Sequence, residues 1–319
     1  MDILLTGSVA NDYLMSFPGY FRDHILPDRL DSISLSFLVE SMVRRPGGIA
    51  CNIAHTLALL GMRPRLFATV GDDFEDYREL LESKGIDTSA VRVIEGEFTA
   101  SFFANTDRSN AQIASFYPGA MTYAKDLSLY ELEEALPDLV VISPNDPGAM
   151  ARYVTECPAL GIPYIYDPSQ QIPRLSDDQL REGVENAQAL FVNDYEFDMI
   201  RNRTGMVLEQ VRRMVQFVVI TCGEKGSKVY SRREVYEIPA VKPEGIADPT
   251  GVGDAYRGGF LTGYCQGWDL KTCGQMGALA ATYCLEQPGP QGHHYTRAEF
   301  LARYRCHFED EGQLERLLA

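Results

Sequence analysis

The sequence has little that would take it to a polyanion or a lipid surface. Lysine and arginine number 29 against 45 aspartates and glutamates, for a formal net charge of −16 at pH 7. So acidic a balance argues against nucleic acid or an anionic membrane as partner. No apolar run approaches the ~20 residues that span a bilayer. The opening segment, Met1 to Gly7, is too short and too weakly basic for a signal peptide. Seven cysteines are scattered, odd in number and without a Cys-x-x-Cys spacing. They read as reduced thiols of a cytoplasmic protein, not as a disulfide framework. Five histidines, including His293-His294, show no metal-ligand spacing with cysteine or carboxylates, which argues against structural zinc. Internal repeats, low-complexity tracts and linkers are missing too.

What is present is an ordinary globular composition. Of 319 residues, 45% are hydrophobic and 23% charged. That length suits one large α/β domain, alone or with a lid. Residues 2–9 read as a buried strand with a small-residue exit. Ile33 to Val39 alternates apolar and polar, which predicts a half-exposed strand. A helix is expected from Gly48 to Leu60 with Gly61 as its cap, then a strand over 66–70 and a helix over 74–83. Short strands should crowd 91–117. Beyond residue 125 strands are expected at 138–143, 162–167, 189–193 and 216–222, with helices between them. A hairpin should cover 226–239, and helices should dominate after 254. This rhythm predicts a mainly parallel sheet covered on both faces. The strand-rich insertions at about 13–45 and 91–118 interrupt it. Paired into one small sheet over the strand ends, they would serve as a lid that keeps water from a reacting phosphoryl group.

The most informative segment is Asp248-Pro249-Thr250-Gly251-Val252-Gly253-Asp254, where a glycine-rich loop turns into a small-residue helix. A helix start offers unpaired N–H groups and a positive dipole end to an anion. Gly251 and Gly253 allow close backbone approach. Asp254 beside bound negative charge makes sense as a base that takes a proton from an attacking hydroxyl. The plainer alternative is an Asp N-cap after a glycine turn.

Four weaker devices fall at predicted strand exits or helix starts. Asn11-Asp12 follows the first strand; its carboxylate suits a vicinal diol, or is a turn or cap Asx. Gly47-Gly48 opens a helix with Asn52 in its first turns. Asn193 and Glu196 lie one helical turn apart after a strand; they suit hydrated magnesium near phosphates, or a capping box. Thr221-Cys222-Gly223-Glu224-Lys225-Gly226 follows another strand and suits a nucleotide, or simply enters a hairpin. Phe98, Phe102, Phe103, Phe116 and Tyr117 put flat apolar faces in the lid, which suit a purine or the lid's own core.

On the Gly47-Gly48…Asn52…Gly61 and Asp248–Asp254 motifs, the chain resembles the ribokinase-like (PfkB) family of carbohydrate and nucleoside kinases over nearly its whole length. The resemblance implies a three-layer α/β/α sandwich with a small β-sheet lid. It implies Asp254 as catalytic base, with the backbone of Gly251, Val252 and Gly253 as anion hole. It places Asn193, Thr221, Gly223 and Gly226 at ATP, and Glu196 at Mg2+ through water. A monovalent cation such as K+ is a further candidate.

A narrower resemblance, to bacterial adenosine kinases, rests on Ser34–Val39, Ile113–Met121, Asp167–Gln171 and Asn193–Glu196. Glu286–Gln291 is similar as well, with Gly-Pro-Gln where that group has Gly-Thr-Gln. It implies Phe102 and Phe116 on the adenine, with Ser8, Ser36 and Gln171 also facing the substrate. Asp12 would hold the ribose 2′- and 3′-hydroxyls, helped by Gly48 and Asn52. The expected reaction is transfer from ATP to the 5′-hydroxyl of adenosine. A sugar kinase and a non-catalytic nucleoside sensor are the alternatives. Phe17, Tyr20, Phe21, Phe37 and Leu38 exceed what a small lid needs, which suggests a homodimer through the lid.

Overall fold

The computed structural model describes residues 1–319 apart from 27–30, 33, 133–134, 311 and 319. Along the chain run β1 (Ile3–Thr6), β2 (Ala10–Ser16), β3 (Ser41–Gly47), α1 (Ile49–Leu59), β4 (Arg65–Val70), α2 (Glu75–Ser83) and β5 (Val91–Val93). Next come β6 (Ala100–Thr106), β7 (Gln112–Tyr117), β8 (Leu139–Ile142), α3 (Pro147–Ala159), β9 (Tyr164–Tyr166), α4 (Asp177–Glu185), β10 (Ala189–Asn193) and α5 (Asp194–Thr204). The rest is α6 (Leu208–Met214), β11 (Phe217–Thr221), β12 (Ser227–Ser231), β13 (Val235–Ile238), α7 (Val252–Cys265), α8 (Leu270–Leu285) and α9 (Arg297–His307).

Among the described residues the large sheet has nine strands, ordered β13-β12-β11-β10-β9-β8-β1-β4-β5. Strands β5 to β11 of that order pair parallel, and the β12–β13 hairpin closes one edge antiparallel. Successive side chains of a strand point to opposite faces, and the cores follow that rule. Ile3 and Leu5, Leu139 and Val141, and Phe217 and Val219 pack with Ala50, Leu57, Phe260, Leu279 and Phe300 on one face. Leu4, Val140, Ile142, Leu190 and Val218 pack with Met150, Tyr153, Leu180 and Val211 on the other. Each fully buried aliphatic or aromatic side chain contributes about 1.5–3 kcal/mol. Helices therefore cover both faces, as the runs of Val, Ile and Leu predict for parallel strands. On the first face Gly258 meets Thr56 of α1 and Gly259 meets Met276 of α8, each too closely for a Cβ. These glycines let α7 sit tight between its neighbours.

The 13–45 and 91–118 segments supply a separate four-stranded sheet, ordered β3-β2-β6-β7. Its first strand departs from expectation. Ile33 lies outside the described residues, and 34–39 adopts no strand. The strand is Ser41–Gly47 instead, paired from Ser16↔Ser41 to Ala10↔Gly47. Arg44, Arg45 and Pro46 disguise it, and proline is tolerated there because β3 is an edge. Phe37 turns inward to meet Phe17 and Phe21, with ring centroids 5.0 and 4.9 Å away. That aromatic knot buries Phe17 and Phe21, two of the residues the dimer expectation relied on, and leaves Phe37 half-buried. Leu38 remains 87% exposed.

Candidate active site

In an open parallel sheet, ligands bind beyond the carboxyl ends of the strands where the strand order reverses. Here the chain leaves β1, fills β4 and β5 on one side, then crosses to β8 on the other. At that edge lie Ser8 after β1, Asp167 after β9, Asn193 ending β10 and Thr221 ending β11. All lie at the parallel strands' carboxyl ends.

Helix α7 starts at the same edge. Gly251 is its N-cap, left-handed at φ +79°, and a Cβ there would meet Pro290 at 2.4 Å. Asp254 is the third residue of the helix, not its cap, so the plainer reading is set aside. The carboxylate is half-buried, and its Oδ2 accepts from Asn52 Nδ2 at 2.9 Å. Burial pushes the Asp254 carboxyl above the usual carboxylate range; Arg257 and the Asn52 hydrogen bond pull it back, and Glu196 opposes them. The result is a half-buried carboxylate in the first turn of a helix.

Asn52 is itself held. Gln291 Nε2 donates to Asn52 Oδ1 at 3.0 Å and to the Tyr77 hydroxyl at 2.7 Å. Tyr77 donates to the Gly47 carbonyl at 2.9 Å. The Gly-Pro-Gln segment thus lies against the α7 turn and Asn52.

Gly48 is the N-cap of α1 at φ +92°, and its missing Cβ would sit 2.5 Å from the Ser8 carbonyl. Ser8 is buried, and its hydroxyl accepts from the Ile49 N–H at 3.1 Å, so it caps this helix.

Asp12 lies in β2 and is neither a turn nor a cap Asx. Its carboxylate stands over Gly47, whose Cβ would be 2.7 Å from Oδ2. Register puts Asp12 opposite Arg45 on one side and Phe102 on the other, and Phe102 opposite Phe116. Paired residues share a face, so Arg45, Asp12, Phe102 and Phe116 form one row across the small sheet. Burial pushes Asp12 up to about 6, with Arg45 lowering it and Asp248 raising it.

Asn193 and Glu196 form a reciprocal capping box, at 2.7 Å each way. Ser169 Oγ also donates to Glu196 Oε1 at 3.2 Å. Among the described residues no three His, Cys, Asp or Glu gather as a metal cage. The donors therefore fit only a cation that keeps its own water, as Mg2+ does. Gly223 stands at φ +56° in open space after Thr221. Gly226 has a packing reason to be glycine, because a Cβ would strike the Ile238 carbonyl at 2.0 Å. Gln171 is buried, with Oε1 lacking a protein partner. Ser36 lies exposed in the 34–39 segment, away from any strand.

Sequence reasoning missed Arg45, Asp167, Arg257, Gln291 and Tyr77 as site residues. Asp167 and Arg257 are a buried ion pair, with Nη2 to Oδ1 at 2.6 Å. Burial lifts the Asp167 carboxyl and the guanidinium lowers it. Arg45 is a cation near Asp12 and Asp248, and packs on Gly289. Asp167 and Gln291 lie in stretches that carry the adenosine-kinase resemblance, and Arg257 stands one helical turn after Asp254; Arg45 and Tyr77 offered no signal in advance.

Comparison with known proteins agrees with this fold. Residues 19–296 match the model of the pfkB family carbohydrate kinases. A nucleoside kinase of Methanothermobacter thermautotrophicus is 35% identical over 293 residues, 91% of each chain. The structure of a Burkholderia thailandensis nucleoside kinase in complex with inosine superposes with a TM-score of 0.85 at 37% identity, covering 96% of this chain and 98% of that one. A nucleoside kinase of Methanocaldococcus jannaschii gives 0.87 at 30% identity, covering 96% and 99%. These relatives carry the general name nucleoside kinase, which is broader than the adenosine-kinase resemblance.

Proposed function

The chain belongs to the pfkB family of carbohydrate kinases, and from that premise we propose that it transfers the γ-phosphoryl group of ATP to the 5′-hydroxyl of a nucleoside, adenosine in the first place. The observation that carries the reading is the row Asp12–Phe102–Phe116. It sets a diol-binding carboxylate in line with two aromatic rings, which a purine needs and a simple sugar does not. The nucleoside-kinase relatives support the same class.

In the proposed complex Asp12 accepts from the ribose 2′- and 3′-hydroxyls, and the base lies on the rings. Asn52 keeps Asp254 aimed at the 5′-hydroxyl. Asp254 takes that proton as the oxygen attacks the γ-phosphorus in line. The N–H groups from Gly251 to Asp254 and the positive end of α7 hold the charge that spreads over the phosphoryl oxygens. Thr221, Gly223 and Asn193 flank the leaving nucleotide. Hydrated Mg2+ near Asn193 and Glu196 would supply neutralisation of the phosphate charge. The small sheet would act as the lid that excludes water.

Inosine is the second reading, favoured by the inosine complex of the Burkholderia relative. A panel of nucleosides and sugars with ATP and Mg2+ tests both. We also propose a homodimer through the face of the small sheet that carries the stacked Tyr13–Phe103 pair. Light scattering decides between 35.6 kDa and twice that mass.

A further inference from the structure

Arg257 follows Asp254 by one turn on α7, and Asp167 at the exit of β9 grips its guanidinium. Nη2 donates to Oδ1 at 2.6 Å, and Nε stands in ionic contact with Oδ2 without a hydrogen bond. The two side chains are 9% and 1% exposed. A charge-assisted hydrogen bond of this kind is strong. Yet a buried ion pair is costly to desolvate, and apolar residues of similar volume often hold two elements together as well or better. Stability alone therefore gives little reason for this pair.

The remaining nitrogen shows where the charge is used. Nη1 lies 2.9 Å from the place a Cβ would take at Gly253. A permanent cation is thus seated against the turn whose N–H groups form the anion cradle. The groups acting on Asp254 and its surroundings come from five elements. They are Asn52 on α1, Glu196 on α5, Asp167 after β9, Cys284 on α8, and Arg257 on α7 itself. Two of these are further carboxylates, and Arg257 is the cation among them. Without it, three carboxylate side chains would share a partly dry site with no cation among these five groups.

We propose that Arg257 is a positioning residue for phosphoryl transfer: clamped by Asp167, it fixes a positive charge under Gly253 that keeps Asp254 in its carboxylate form. This rests on Asp254 being the base. Asp167 holds the guanidinium so that it lies beside Asp254 without closing on it and blocking the oxygen that must take the proton.

The test is the acid limb of kcat at saturating nucleoside and Mg-ATP, where Asp12 is engaged by the nucleoside and the titration of ATP is common to all variants. In Arg257→Met the limb moves to higher pH by about one to two units, the effect of removing an opposite charge at close range. Arg257→Lys keeps the charge and recovers most of the shift. A buried Asp167 left unpaired threatens folding, so Arg257→Gln, which can still donate to Asp167 but carries no charge, is the second variant, and it too shows the raised limb. A folded R257M or R257Q with the wild-type limb overturns the proposal. If Asp254→Asn keeps full turnover, the base assignment itself falls. An inactive Asp254→Asn beside unmoved limbs defeats only the role given to Arg257.

Discussion

Asn52 and Asp254 are 202 positions apart in the chain and share a hydrogen bond of 2.9 Å, amide nitrogen to carboxylate. The bond joins the first turns of α1 and α7, the two helices that begin at glycine N-caps with positive φ. Through Gln291 and Tyr77 it continues to Gly47, under Asp12. The proposed base and the proposed ribose ligand are therefore mounted on one polar network.

If Asp254 is the base, Asp254→Asn keeps that network nearly isosteric and removes the proton acceptor. Turnover should fall by ~10²–10⁴-fold. Calorimetry should show nucleoside binding retained. Equal losses of kcat and binding would point to a structural role.

Asp12 makes a pH prediction with a definite sign. Its folded pKa of about 6 lies above its ordinary 3.8. Between those values the folded protein holds the proton more tightly than the unfolded chain, so this group adds stability as pH falls through the window and withdraws it as pH rises. Nucleoside binding needs the carboxylate, so KM should climb as pH drops through about 6. Asp12→Asn should raise KM and raise Tm at pH 7. Losing a charged acceptor is worth ~1.5–3 kcal/mol of binding. A KM unchanged by the substitution excludes the role.

Gly48→Ala should be far worse than Gly85→Ala. Both glycines have positive φ, but a Cβ at 48 meets backbone atoms at 2.5 and 2.6 Å, and one at 85 meets nothing within 4 Å. Strain plus overpacking puts the first at ~2–5 kcal/mol; strain alone puts the second near 1 kcal/mol. Denaturant melts of the two variants compare them directly.

Much of this was legible in the residues. The alternation of Val-, Ile- and Leu-rich runs with helices located β4, β8, β9, β10 and β11 to within a residue or two, because buried parallel strands carry a strong signal. Asp254 stood out because an acid after two glycines at a helix start is chemically specific, whereas Gly47-Gly48 was a weak signal until read together with the Asp248–Asp254 motif. The Ser41–Gly47 strand was hidden, since an edge strand with two arginines and a proline has no apolar period. The Ile33–Val39 alternation misled, because Phe37 found aromatic partners in place of a strand neighbour. Asp167, Arg257 and Gln291 were invisible as a group: they come from three distant segments, and only the folded sheet edge brings them together.

Phe102 and Phe116 separate a nucleoside site from a sugar site. They sit opposite each other in β6 and β7, and Phe116 is 48% exposed. Phe116→Ala should weaken nucleoside binding by ~1–3 kcal/mol, the scale of base–aromatic stacking. It should leave any turnover of free ribose unchanged. Calorimetric titration with adenosine and ribose on both proteins checks this.

The most direct measurement is the steady-state rate of ADP formation with Mg-ATP across adenosine, inosine, cytidine, ribose and fructose, with the phosphorylated product identified by mass. The account predicts nucleoside-dependent turnover, a 5′-monophosphate as product, and kcat/KM for a purine nucleoside well above that for either sugar. Efficient turnover of ribose or fructose with none for any nucleoside would contradict it.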